Sequence, residues 1–260
     1  MAATRTPHQP LLPDEQAVQH LLTAFYSTPR AGGLDRLAGG GGPFCFDVTT
    51  ALQIHVLISH YRCDGVVESG GHLGDTTEYL ARAYPHLPVR TCELDAGRAA
   101  FARRRLAEFS NVEVGYGDSA ILLPRMLSGL QRPLVFLDAH WGPGWPLADE
   151  LTTLRAAVAV IDDFDIGHPR FGYDTYNGRA CDPQLVADVL PDLERMFVGH
   201  VEADYPLPCL QTGRRSGTGI IVLGLGDDGH SSLTGHPWFA ELPLRPRPVL
   251  PAWSSAGVSR

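Results

Sequence analysis

The chain contains no lysine, so all 21 of its basic residues are arginine. An arginine-only complement points to a GC-rich genome rather than to a mechanism. Positive charge is scarce altogether: 29 acidic residues leave a formal net charge of −8. Proteins that neutralise a phosphate backbone carry a basic stripe, often with interleaved aromatics, and none is present, which argues against a nucleic-acid partner. Cysteine is sparse as well. Cys45, Cys63, Cys92, Cys181 and Cys209 are odd in number, scattered and free of C-x-x-C spacing, so neither a disulfide framework nor a zinc knuckle is supported. No basic-then-apolar leader and no bilayer-length apolar run occur, so neither export nor a membrane is expected, and the cytoplasm is the expected compartment. Internal repeats are lacking too.

What is present is a hydrophobic content of 44% over 260 residues, enough for one sizeable core. Residues 1–63 divide into a polar start and two helical stretches joined by a glycine-rich loop, "AGGLDRLAGGGGP". The first stretch spaces Val18, Leu21, Leu22 and Phe25 along one helical face. The second, "VTTALQIHVLISHY", is apolar nearly all round, which calls for packing against a main body and offers a contact for a homodimer. We read this region as an N-terminal helical cap. From residue 64 to about 230, short apolar runs alternate with helical stretches, the pattern of parallel strands joined by crossover helices in an α/β doubly wound sheet. A proline-rich tail, 231–260, completes the chain.

Ligands of such sheets sit at the C-terminal ends of the strands. Those ends read Glu68 with a glycine turn, Glu93 with Asp95, Asp118, Asp138 with His140, and Asp162 with Asp163. One Asp at a strand end is as well explained by helix capping. Five acidic ends on one edge are not so easily explained.

The turn, "VVESGGHLGDTTEYLA", lacks the G-x-G-x-x-G of a dinucleotide site and puts Glu68 where a pyrophosphate would be repelled, which counts against a nicotinamide-dependent oxidoreductase. A ligand with an ammonium for Glu68 and a carboxylate for the helix N-terminus suits it better. Glu93 stands about 20 residues past the turn, where a ribose-binding acid belongs. Asp118 is placed to accept from an adenine amino group. An amino acid joined to adenosine is S-adenosylmethionine.

The turn resembles the first motif of class I S-adenosylmethionine-dependent methyltransferases, in the E-x-G-x-x-x-G-x-[ST] form of the catechol-type O-methyltransferases, matched by Glu68, Gly70, Gly74 and Thr76. The likeness implies a Rossmann-like seven-stranded sheet with its last strand, "GTGIIVLGLG", antiparallel. It also implies that Glu68, Gly70 and Gly71 hold the methionine end, Glu93 the ribose, and Asp118 with Ser119 the adenine. His72 and the loose glycine pattern depart from the commonest form of the motif.

The same resemblance implies a magnesium site at Asp138 in "FLDAHW" and Asp162 with Asp163 in "VIDDF", where hard oxygen donors suit Mg²⁺. Asp138 is therefore counted with the cofactor residues, the metal ligands and the catalytic residues. Adjacent strand residues point to opposite faces, so Asp162 and Asp163 share a site only if the strand ends between them. The alternative is a cationic acceptor held directly by Asp138, Asp163, Asp165 and Asp174, with His140 as proton acceptor. "FLDAHW" and "VIDDF" look like methyltransferases that decorate sugars of actinobacterial antibiotics, either aminoglycoside N-methyltransferases or macrolide-sugar O-methyltransferases. The acidity favours methyl transfer to an amine of an aminoglycoside-like amino sugar over transfer to a sugar or phenolic hydroxyl.

Overall fold

A computed structural model describes residues 12–31, 41–139, 144–206, 216–225 and 233–244. Helices α1 (Glu15–Ser27) and α2 (Val48–Tyr61) come first, separated by a 3-10 turn at Pro43–Phe46. Strand and helix then alternate through β1 (Gly65–Ser69), α3 (Asp75–Ala83), β2 (Val89–Glu93), α4 (Ala96–Arg105), β3 (Val112–Tyr116), α5 (Ser119–Leu127), β4 (Pro133–Leu137), α6 (Leu147–Thr153) and β5 (Ala157–Phe164). A two-residue hairpin follows, β6 (Thr175–Tyr176) and β7 (Arg179–Ala180), before α7 (Pro183–Val189), β8 (Arg195–Gly199), β9 (Gly217–Leu223) and β10 (Phe239–Pro243).

The main sheet runs β10-β8-β9-β5-β4-β1-β2-β3. β1 pairs in parallel with β2 on one side and β4 on the other, so connections leave it in both directions and a crevice opens between the loops after β1 and β4. This is a Rossmann-like doubly wound sheet. β9, the strand expected to reverse, is antiparallel to both β5 and β8. An eighth strand, β10, lies antiparallel against β8 and comes from the segment read in the sequence as a tail.

The helices form where sequence and capping agree. Asp14 caps α1 by accepting from Ala17 N at 2.8 Å, and Val18, Leu21, Ala24 and Phe25 are buried. Burying each of the larger side chains contributes about 1.5–3 kcal/mol. α1, α2 and α3 pack in one cluster with Val66, Phe136, Val158 and Ile220 of the strands. The N-terminal helices are thus fastened to one face of the sheet, while residues of α5, α6 and α7 cover the other.

Two local details depart from simple periodicity. The stretch "PQLVADVLPDLERMF" reads as one helix, but α7 stops at Val189 and 195–197 belong to β8. Pro191 excludes the helical region for the residue before it, and Leu190 sits at φ −122°, ψ 72°. The loop after β5 contains a hairpin whose turn is Asn177-Gly178, with φ of 50° and 77°. Asn-Gly is the strongest short hairpin signal, because both residues tolerate a left-handed backbone.

Candidate functional site

The turn after β1 is built by close approach. Gly70 has φ 76°, and a Cβ there would stand 2.3 Å from the carbonyl oxygen of Asp138. A Cβ on Gly71 would stand 2.2 Å from Thr91 Oγ1, and Gly71 N donates to Cys92 O at 2.8 Å. The turn is therefore pressed against the ends of both β4 and β2. Side chains at these positions would force the three strand ends apart.

Glu68 lies beneath this turn, 2% exposed. Its Oε2 accepts from Thr77 Oγ1 at 2.5 Å and from Thr91 Oγ1 at 2.6 Å. Burial pushes its carboxyl above the usual range, against the two hydroxyl bonds that favour the charged form. In this arrangement Glu68 fastens the turn to α3 and β2. Glu93 accepts from His72 N at 2.9 Å and from Asp95 N at 2.8 Å, one bond to each oxygen. A carboxylate has about four acceptor positions, so two bonds leave it room for a diol. Asp118 caps α5 by accepting from Ala120 N at 2.9 Å, with Ser119 buried behind it. Thr76 accepts from Phe44 N at 3.0 Å, and Gly74 is the left-handed residue that starts α3.

Asp75 is an anchoring residue beside the turn that sequence reading missed. Its Oδ1 accepts from Ala31 N at 2.9 Å and its Oδ2 from Gly42 N at 2.6 Å, so one carboxylate joins both flanks of the glycine-rich loop to the start of α3. Arg105 closes on the same group and also reaches Glu78 at 2.7 Å. The clue available was an acid in the first helical turn, where negative charge is favoured.

On the other side of the crevice, carboxylate oxygens of Asp138, Asp162 and Asp163 all lie within 4.8 Å of one another. Strand alternation should keep Asp162 and Asp163 apart, and the strand does not end between them. Instead Ile161 pairs with Gly219 and Phe164 with Gly217, so two residues of β5 oppose the single Thr218 of β9. This β-bulge, with Asp163 at φ 48°, turns both acids to one side. Asp162 and Asp163 are buried and Asp138 is half-buried. Burial first, then the charges of Asp162 and Asp163, hold the Asp138 carboxyl well above its usual range.

The triad's surroundings are laced to it. Asp174 N donates to Asp163 O at 2.9 Å, and Ser216 Oγ to Asp162 Oδ1 at 3.5 Å. Asp165, expected in the same group, instead accepts from Gly167 N at 2.8 Å and shapes its own loop. His140 lies outside the described residues. Three hard oxygen donors in mutual repulsion fit a divalent cation such as Mg²⁺.

No protein-family model and no curated protein matches this chain. Among solved structures it is similar to the O-methyltransferase TomG of Streptomyces achromogenes, involved in tomaymycin synthesis and crystallised with S-adenosylmethionine. That likeness has 19% identity and a TM-score of 0.45, over 82% of this chain and 92% of that one. An O-methyltransferase from Bacillus cereus in complex with S-adenosylhomocysteine shows 16% identity and a TM-score of 0.44, over 82% and 93%.

Proposed function

We propose that this chain transfers a methyl group from S-adenosylmethionine to a hydroxyl of a small acceptor, with a divalent cation held by Asp138, Asp162 and Asp163. The observation that carries the metal is the bulge at Asp162–Asp163, because it removes the one geometric objection to a three-carboxylate site. S-Adenosylmethionine supplies an electrophilic methyl group, and the cation would lower the pKa of an acceptor hydroxyl. The chain's own work is alignment. Gly70 and Gly71 bring the turn to the ends of β4 and β2, Glu93 offers both oxygens to a ribose, and Asp118 with Ser119 borders the adenine. His140, two positions past Asp138, is assigned the acceptor proton on sequence grounds.

A second reading, methyl transfer to an amine of an amino sugar, is favoured by the acids beyond the triad. Asp174 adds to the field at Asp138, and carboxylates could hold the neighbouring ammonium groups of an amino sugar without a metal, the attacking amine first giving its proton to a base, the role assigned to His140.

The test is calorimetric titration of S-adenosylhomocysteine and then Mn²⁺ into the parent and into Asp163→Asn. Asn tolerates the left-handed backbone but withdraws one charged ligand. The nucleoside should bind both proteins alike, and Mn²⁺ should bind the variant about 100-fold more weakly. A parent that binds the nucleoside but no Mn²⁺ would return the reading to the amine. A parent that does not bind the nucleoside would remove methyl transfer.

A further inference from the structure

A cavity of about 560 Å³ opens between the start of α2, the loop after β5, the end of β8 and the start of β9. Ser216 lines it and also bonds Asp162, so the cavity adjoins the carboxylate triad. Its lining is unusual for a small-molecule site. Such sites are mostly apolar with a few polar groups, whereas the neutral polar Thr50, Gln53, Tyr205, Ser216 and Thr218 line this one together with charged groups at Asp47, Arg170, Glu202 and Asp204 and the apolar Ile166 and Phe171.

Gln53 is the centre of that lining. It is 7% exposed, its Nε2 donates to Tyr205 Oη at 2.7 Å, and its Oε1 accepts from Thr218 Oγ1 at 3.3 Å. A primary amide carries two hydrogens and two lone pairs. Among the described residues, one of each is used, so one donor and one acceptor remain on a side chain that lines the cavity. The end of β8 keeps room for it: a Cβ on Gly199 would stand 2.6 Å from Gln53 Nε2. Thr50 and Gln53 are three residues apart on α2, so both project from the same helical face.

We infer that this cavity seats a polyhydroxylated, saccharide-like part of the acceptor, with Gln53 and the hydroxyls of Tyr205 and Thr218 as its specificity-determining residues. The inference rests on the methyl-transfer reading, which makes the triad the reacting end and the cavity the recognising end. A sugar ring presents neighbouring hydroxyls that each donate and accept, and an amide flanked by two hydroxyls answers that pattern. A flat phenol with one or two hydroxyls cannot answer the remaining donor and the remaining acceptor of the buried Gln53 amide at once as neighbouring ring hydroxyls can. Phe171, with Arg170 5.1 Å from its ring centre, supplies an apolar wall for one face of the ring.

The experiment titrates kanamycin A, methyl α-D-glucopyranoside and catechol separately into the full chain, with and without S-adenosylhomocysteine. The same titrations are made on Gln53→Leu and Tyr205→Phe. At least one sugar should bind, Gln53→Leu should weaken it fivefold or more, and Tyr205→Phe, which keeps the ring, should weaken it two- to fivefold. S-Adenosylhomocysteine affinity should be unchanged in both. Sugar binding that ignores both variants, or catechol binding with no sugar binding, overturns the inference. Sugar binding that depends on Gln53 in a protein that does not bind S-adenosylhomocysteine supports the cavity and overturns methyl transfer.

Discussion

On the β1–β2–β3 side of the crevice, Glu68, Glu93, Asp95 and Asp118 each accept hydrogen bonds from hydroxyls or backbone N–H groups of the chain itself. On the β4–β5 side, Asp138, Asp162 and Asp163 are brought within 4.8 Å of one another, and burial together with the neighbouring charges raises the Asp138 carboxyl. The two sides carry the same residue type at equivalent strand ends and put it to opposite uses. Where acids meet donors, they shape loops and leave a few lone pairs for a neutral ligand such as a ribose. Where acids meet acids, the arrangement costs stability, and the proposed cation would offset that cost. A strand-end acid is therefore read by its neighbours and not by its position.

The change that should damage both sides at once is Gly70→Ala. The added methyl would fall 2.3 Å from Asp138 O, on a residue whose φ of 76° already disfavours a side chain. Expected outcomes are a loss of about 2–4 kcal/mol in urea unfolding and joint loss of S-adenosylhomocysteine and Mn²⁺ binding. Loss of one ligand with retention of the other would show that the turn and the triad are not coupled through this contact. A smaller and one-sided effect is expected from Glu93→Ala. It removes the proposed ribose acceptor and should weaken S-adenosylhomocysteine about tenfold or more, as for hydrogen bonds to a charged group, while Mn²⁺ affinity stays within about twofold. Equal loss of both would make Glu93 a general structural residue.

Much of this contrast was legible in the sequence, and what was not has physical causes. The alternation of apolar runs with helical stretches sufficed for the doubly wound sheet, and the acids at five strand ends marked the edge on which the candidate site is built. The pairing of Asp162 with Asp163 was not legible, since strict period-two reasoning separates them. A bulge is set by the partner strand, here by Thr218 opposing two residues, which lies 55 positions away in the chain. The role of Gln53 was hidden for a related reason. On an all-round apolar helix a lone amide reads as ordinary, and only the arrival of Tyr205 and Thr218 from distant segments gives it a function. Pro191 and Asn177-Gly178, by contrast, carried local signals that a stricter reading of turn chemistry would have used.

The finest test of the contrast concerns Glu68, the buried acid that fastens the turn. Its carboxyl is raised in the folded chain by burial, and in the unfolded chain it has its ordinary value. Between those two values the folded state binds more protons than the unfolded state, so Glu68 lowers stability progressively as pH rises through that window. Below the window both states are protonated and the penalty vanishes; above it both are ionised and the penalty is full. Glu68→Gln keeps an oxygen for Thr77 and Thr91 but cannot ionise. Its stability relative to the parent should therefore grow from acid to neutral pH and then level off, measured as urea midpoints in EDTA at pH 4, 6 and 8. The Glu68 charge also contributes to raising Asp138, so relief there acts in the same direction. S-Adenosylhomocysteine affinity should change by less than about threefold, because the fastening bonds survive. A variant that gains no stability with pH and loses the nucleoside tenfold would place the Glu68 charge on the ligand's ammonium instead, and the cofactor side would then use at least one acid as the triad side does.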